Sequence, residues 1–93
     1  MNIQTELEEF SVYLENVKRA SQNTIVSYRR DLRQMQEYLE KEGIFDLGKV
    51  TKTSLNSYIL YLEQQGKATA TISRMLASIK AFFHYEFSNR KIS

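Results

Sequence analysis

Proline and cysteine are absent from this 93-residue chain, glycine occurs three times and histidine once. Without proline and with so little glycine, the chain has few ways to turn sharply. Leu, Glu, Lys, Arg and Gln, all good helix formers, are plentiful, so an all-α domain is expected. The absence of cysteine excludes disulfides and thiolate-bound metal. The single histidine, His84, can form neither a multi-histidine metal site nor a dyad with a cysteine; its place in the last helical stretch puts it on the exposed side. No apolar run approaches the ~20 residues that span a bilayer. The opening Met1-Asn2-Ile3-Gln4-Thr5-Glu6 lacks the basic and apolar regions of a signal peptide, so a cytoplasmic location is expected. There is no P-loop, Gly-rich dinucleotide turn or Gly-x-Ser-x-Gly elbow, and no two carboxylates fall at a common cleft. The expectation is a chain that is non-catalytic by itself, with no cofactor and no metal.

What is present is enough for one small domain, residues 1–93, with a single modest core. Apolar residues make up 42%, which argues against disorder. The net charge of +2 is modest but unevenly spread. Residues 1–17 carry Glu6, Glu8, Glu9 and Glu15 and no base; residues 18–34 carry Lys18, Arg19, Arg29, Arg30 and Arg33 against Asp31. Residues 35–63 lean acidic, and residues 64–93 carry Lys67, Arg74, Lys80, Arg90 and Lys91 against Glu86. Two basic tracts make a polarised surface if they meet in space; otherwise they are solvated charge.

Apolar periodicity predicts four amphipathic helices. The first runs from about Thr5 to Lys18, with Ile3, Leu7, Phe10, Leu14 and Val17 on one face. The second starts near Ser21 or Asn23 and ends near Gly43, with Ile25, Tyr28, Leu32, Met35 and Leu39 inward and Arg30 and Arg33 outward. Residues 43–51 form the longest break, and Ile44, Phe45, Leu47 and Val50 are expected to tuck against the core. Thr51 caps a third helix that ends at Gly66; Leu55, Tyr58, Ile59 and Leu62 point inward, and Leu60 and Tyr61 lie off that stripe, either widening the buried face, the reading favoured here, or forming a small contact surface. The fourth helix runs from about Thr69 to Asn89, with Ile72, Met75, Leu76, Ile79, Phe82 and Phe83 on its apolar side. Its other side is small: Ala70, Ala77 and Ala81, with Arg74 among them. Either these alanines let the backbone approach a ligand while Arg74 reaches forward, or they are helix formers beside a solvated arginine. Four such helices with short links form a compact bundle.

Two helix starts, at Ser21–Thr24 and Lys67–Thr71, combine hydroxyl side chains, free backbone N–H groups and nearby cations. Such termini bind phosphate, and arginines one or two turns further in can reach base edges in a major groove.

The segment Asn23-Thr24-Ile25-Val26-Ser27-Tyr28-Arg29-Arg30-Asp31-Leu32 resembles the N-T-x-x-x-Y-R-R-D-L stretch of Xer-type tyrosine recombinases and of phage or transposon integrases. Lys67–Tyr85 is similar to the family's second signature, with its R-x-L-S-A-[IV]-[RK]-x-F-[FH]-x-[YF] core. Met75 and Ala77 stand where Leu and Ser are common, and Val26 is apolar at a position near the groove. The resemblance covers essentially the whole chain. It implies the N-terminal core-binding domain, a SAM-like four-helix bundle, with the second and fourth helices facing the major groove of double-stranded DNA at a recombination core site. By position it assigns DNA contact to Thr24, Ser27 and Arg30, and to Lys67, Thr69, Thr71 and Arg74, with Arg33 and Lys80 as further phosphate candidates. Tyr28 resembles a core residue and is not the nucleophile. The family's catalytic arginines, lysine, histidines and tyrosine belong to a second domain, whose linker would begin about Arg90-Lys91-Ile92-Ser93; on this reading the chain is an excised fragment or a truncated product. Further implied partners are other recombinase protomers in a synaptic complex. The isolated domain is expected to be monomeric, nucleoid-associated when on DNA, and not membrane-bound. A helical protein-interaction module is the alternative from a different class. A helix-turn-helix repressor is disfavoured, because no short helix–tight turn–helix pair of suitable lengths occurs.

Overall fold

A computed structural model describes residues 1–89; Arg90 and Lys91 of the second basic tract, and the linker start expected at 90–93, lie outside the described residues. The described chain forms four α-helices, α1 (Ile3–Asn16), α2 (Gln22–Lys41), α3 (Lys52–Gln64) and α4 (Thr69–Ser88), with a 3-10 turn at Leu47–Lys49 before α3. This is the all-α bundle expected from composition.

Local chemistry sets each boundary. Asn2 caps α1 by accepting the Thr5 N–H at 3.3 Å, so the helix begins two residues earlier than its periodicity predicts. It also stops earlier, at Asn16. Beyond it Arg19 takes a left-handed φ of +50° and the Ala20 N–H closes back onto the Leu14 carbonyl at 2.9 Å. Val17 therefore lies past the last turn and is exposed, not part of the core face. A non-glycine residue in the left-handed region is strained by about 1–2 kcal/mol. Arg19→Gly is expected to raise stability by about 0.5–1 kcal/mol after glycine's greater unfolded-state freedom is deducted. A chemical denaturation midpoint equal to or below that of the parent chain would refute this.

The ends of α2 and α3 share one device. The Gly43 N–H bonds to the Glu40 carbonyl and the Ile44 N–H to that of Leu39; likewise Gly66 bonds to Glu63 and Lys67 to Leu62. Both glycines have φ of +80°, the conformation this closing motif requires. At the start of α3, Thr51 and Ser54 exchange backbone-to-side-chain bonds in a capping box.

Ile3, Phe10 and Leu14 of α1 meet Ile25, Leu32, Met35 and Leu39 of α2 and Ile72, Met75, Ile79 and Phe82 of α4; Tyr58 and Leu62 of α3 close the other end. Phe10 is the aromatic hub, edge-on to Phe82 at 5.6 Å and stacked with Tyr28 at 6.2 Å. Two expectations fail. Phe45 is exposed because the backbone of 44–46 is extended and pairs with the N-terminal segment: the Ile3 N–H bonds to the Phe45 carbonyl, and Asn2 bridges Asp46. Phe45 is thereby turned away from the core, while Ile44, Leu47 and Val50 pack against it as expected. Asp46 in turn caps the 3-10 turn, and the Gly48 N–H holds its carboxyl below the usual carboxylate range. Leu60 and Tyr61 are also exposed, because α3 packs chiefly on α2 and α4 through Tyr58 and Leu62, although the Tyr61 ring still tilts against Tyr38 of α2 at 5.0 Å.

Tyr58 is enclosed, yet its hydroxyl has no hydrogen-bond partner among the described residues; burial, reinforced by the charge of Asp31, pushes its ionisation up. An unpaired buried hydroxyl is a liability, so Tyr58→Phe is expected to be neutral or stabilising by up to about 1 kcal/mol. A loss of stability on thermal unfolding would show that the hydroxyl has a partner.

Candidate nucleic-acid interface

The two basic tracts meet. Helices α2 and α4 pack against each other, and the contact is centred on a residue that charge counting treats as a mere offset, Asp31. Its side chain is 0% exposed. One carboxylate oxygen, Oδ1, accepts from Arg74 Nη2 at 3.0 Å; the other, Oδ2, accepts from Ser78 Oγ at 2.9 Å. Arg30 approaches from the same helix, with Nε 4.0 Å from Oδ1. One buried carboxylate thus gathers an arginine from each basic tract. Both guanidinium side chains remain about half exposed, at 53% for Arg30 and 48% for Arg74. Neither partner of the arginines was singled out from sequence, though a signal exists. Asp31 falls three residues after Tyr28 and four before Met35, and Ser78 falls three after Met75 and four before Phe82, so each is a polar residue inside an apolar stripe.

The predicted contact residues do not all come together. Arg30 and Arg74 converge, as described. Arg33 is exposed further round α2, where it lines a shallow depression with Val26, Arg29, Arg30, Gln34 and Glu37. Val26, Arg30, Arg33 and Glu37 follow one another at spacings of four, three and four and form the outward stripe of α2. Lys67 is exposed at the entry to α4 and shares a depression of 440 Å³ with Gln34, Lys41 and the tyrosines Tyr38, Tyr58 and Tyr61. Thr24 and Ser27 are half-buried. Thr24 faces α1 and the far end of α4, in a groove of 410 Å³ with Lys18, Tyr28, His84 and Tyr85. Thr71 is half-buried and Thr69 exposed. Lys80 is exposed but lies about 120° around α4 from Arg74 at 100° per residue, so the structure does not bring it to the Asp31 cluster.

The two helix starts differ. At α2 the Ser21 Oγ accepts the Thr24 N–H at 3.2 Å and donates to the Thr24 Oγ1 at 2.9 Å, so this terminus is partly closed by its own cap. At α4 the cap position is Ala68, and no side chain bonds to the first-turn N–H groups. Hydroxyls close only the first of the two, and the second presents open N–H groups beside Lys67.

The second and fourth helices of this four-helix bundle thus bring the two basic tracts side by side. Residues 7–89 match the phage integrase, N-terminal SAM-like domain family, and the chain belongs to it. It is 46% identical over 84 residues to a protein of Caldanaerobacter subterraneus subsp. tengcongensis assigned to the tyrosine recombinases, a match covering 90% of this chain and 29% of that protein. It is 35% identical to tyrosine recombinase XerC of Herpetosiphon aurantiacus, over 89% of this chain and 27% of the relative. It is 31% identical to tyrosine recombinase XerD of Listeria monocytogenes serotype 4b, over 94% and 30%. The chain spans less than a third of the length of these relatives, and what it matches is the family's N-terminal domain, not its catalytic one. No solved structure matches it. Among the described residues no helix is long and apolar enough to cross a membrane.

Proposed function

We propose that this chain binds double-stranded DNA as the core-binding domain of a tyrosine recombinase, with α2 and α4 against the major groove of a recombination core site. The observation that carries this reading is the convergence of Arg30 and Arg74 on Asp31, which makes one cationic face from two separate tracts. The open N-terminus of α4 beside Lys67 suits a phosphate, and the exposed Arg33 suits a second. Thr69 and Lys80 lie on the outer side of α4, where they serve the flanking backbone; Ser27 and Thr71 line the edges of the face, and Thr24, turned toward α1, contributes through the helix start it helps to cap. The parent enzyme would cleave and rejoin DNA strands through a catalytic domain beyond this one, acting in the cytoplasm with further recombinase protomers as partners.

Affinity is expected to be weak, because one small domain makes few contacts. If three or four phosphates are neutralised, raising salt from about 50 to about 200 mM weakens binding by about 40- to 150-fold. Lys67→Glu and Arg33→Glu, two positions in no ion pair among the described residues, are each expected to weaken binding on every duplex and to lower the salt slope by about 1 or more. Fluorescence anisotropy on a labelled duplex at several salt concentrations measures both. Binding that ignores salt and both reversals would sink the proposal.

A further inference from the structure

We infer that Arg74 is a base-reading residue and not a phosphate clamp, and that Asp31 is the positioning residue that makes it so. This rests on the DNA-binding reading above and deepens it.

A cation that serves a phosphate needs charge and reach; one that reads a base needs direction. Arg74 has been given direction at the expense of charge. Its Nη2 is bonded at 3.0 Å to a carboxylate that is fully buried, and that carboxylate is held from its other oxygen by Ser78, one turn further along α4. Holding Asp31 from both sides narrows the directions in which the Arg74 guanidinium can point. The negative charge of Asp31 cancels most of the pull that Arg74 would exert on a phosphate, so the long-range attraction of the face rests on Arg30, Arg33 and Lys67 instead. Yet 48% of the Arg74 side chain stays open. The N–H groups not spent on Asp31 therefore remain available beside a restrained Nη2.

The surroundings of Arg74 favour close approach. Ala70 and Ala77 are exposed on its flank and Ala81 is half-buried, so no long side chain holds α4 away from a groove floor. A planar fork of N–H donors presented without steric cover matches the paired acceptors O6 and N7 on the major-groove edge of guanine. The ligand class is thus a guanine within the recognised site. An ammonium can donate to guanine too, but it lacks the fixed planar fork and so gives up the directional match.

The test combines two measurements on the 93-residue chain. Selection from a randomised duplex pool, with sequencing of the bound fraction, reads preference. Titration on one duplex of arbitrary sequence reads general affinity. The wild-type chain should enrich guanine at one position. Arg74→Lys, which keeps the charge at an exposed site, should lose that enrichment by about 5- to 150-fold, the range of a bidentate arginine–guanine pair. Asp31→Asn, checked for folding by circular dichroism, should lose the same enrichment and yet bind the arbitrary duplex more tightly, with a salt slope steeper by about 1, because a freed Arg74 then meets phosphate. Arg33→Gln should do the reverse, weakening binding everywhere and keeping the preference. The inference is overturned if Arg74→Lys retains the wild-type preference, or if the wild-type chain binds duplex and prefers no base. A wild-type chain that captures no duplex even at low salt instead overturns the DNA-binding reading beneath it. Should Asp31→Asn not fold, Arg74→Lys decides alone.

Discussion

Phe82→Ala is expected to lower stability by about 3–5 kcal/mol, the range for removing a large side chain from a well-packed core. Phe82 is 0% exposed and stands edge-on to both Phe10 at 5.6 Å and Phe83 at 5.3 Å. Its loss opens a cavity where α1 and α4 meet, and neither helix can collapse to fill it without moving Phe10, which also contacts Tyr28 and Tyr85. A domain of this size has only about 5–15 kcal/mol in total. With about 4–8 °C of melting temperature per kcal/mol in domains of this length, the variant should melt at least about 12 °C lower. Phe87→Ala, at a position 60% exposed on the same helix, should change stability by no more than about 0.5 kcal/mol. Paired thermal melts followed by circular dichroism make the comparison, and similar losses at both positions would contradict the burial described for α4. Duplex binding by Phe82→Ala should fall only in step with the unfolded fraction, since the side chain touches nothing on the cationic face.

The helices themselves were legible in the sequence, because each writes its buried side at helical spacing. Ile25, Leu32, Met35 and Leu39 are buried as their spacing requires, and Gly43 and Gly66 stand where left-handed closing residues are needed. What was not legible depends on a second element. Leu60 and Tyr61 look as apolar as Leu62, and only the positions of α2 and α4 decide which side of α3 is covered. Phe45 is turned out by pairing with a segment more than 40 positions earlier in the chain. The functional face shows the same limit. The family resemblance pointed to Arg30 and Arg74 separately, but their shared partner is a carboxylate that periodicity places inside the core stripe of α2. A polar residue in a stripe reads as an interruption until its partners are known, and those of Asp31, at Arg74 and Ser78, lie 43 and 47 positions away.

Removing Arg74 should be more damaging than removing Asp31, although the two form one ion pair. Arg74 is about half exposed, so in Asp31→Ala the freed guanidinium turns to water, and the Ser78 hydroxyl loses its 2.9 Å bond but keeps a longer one of 3.4 Å to the Arg74 carbonyl. The expected loss is about 1–2 kcal/mol. In Arg74→Ala the carboxylate stays where it is, with its side chain fully buried, keeping Ser78 and a distant Arg30 at 4.0 Å. Breaking a buried pair from one side in this way costs about 3–5 kcal/mol when both charges are enclosed. The exposure of the arginine and the nearness of Arg30 reduce that to about 2–3 kcal/mol. The double variant Asp31→Ala with Arg74→Ala should then be more stable than Arg74→Ala alone, because the stranded charge has gone. Urea denaturation of the four proteins in a double-mutant cycle reads the coupling directly. Strict additivity would mean that the 3.0 Å contact contributes nothing to stability. The asymmetry also governs how the DNA-binding face should be probed. Arg74→Glu would set a second carboxylate against the buried Asp31 and weaken the fold and the interface together, so a loss of binding there would identify neither. Lys67 and Arg33 carry charge that the fold does not use, and reversal at those two positions separates attraction to the phosphates from the integrity of the α2–α4 joint.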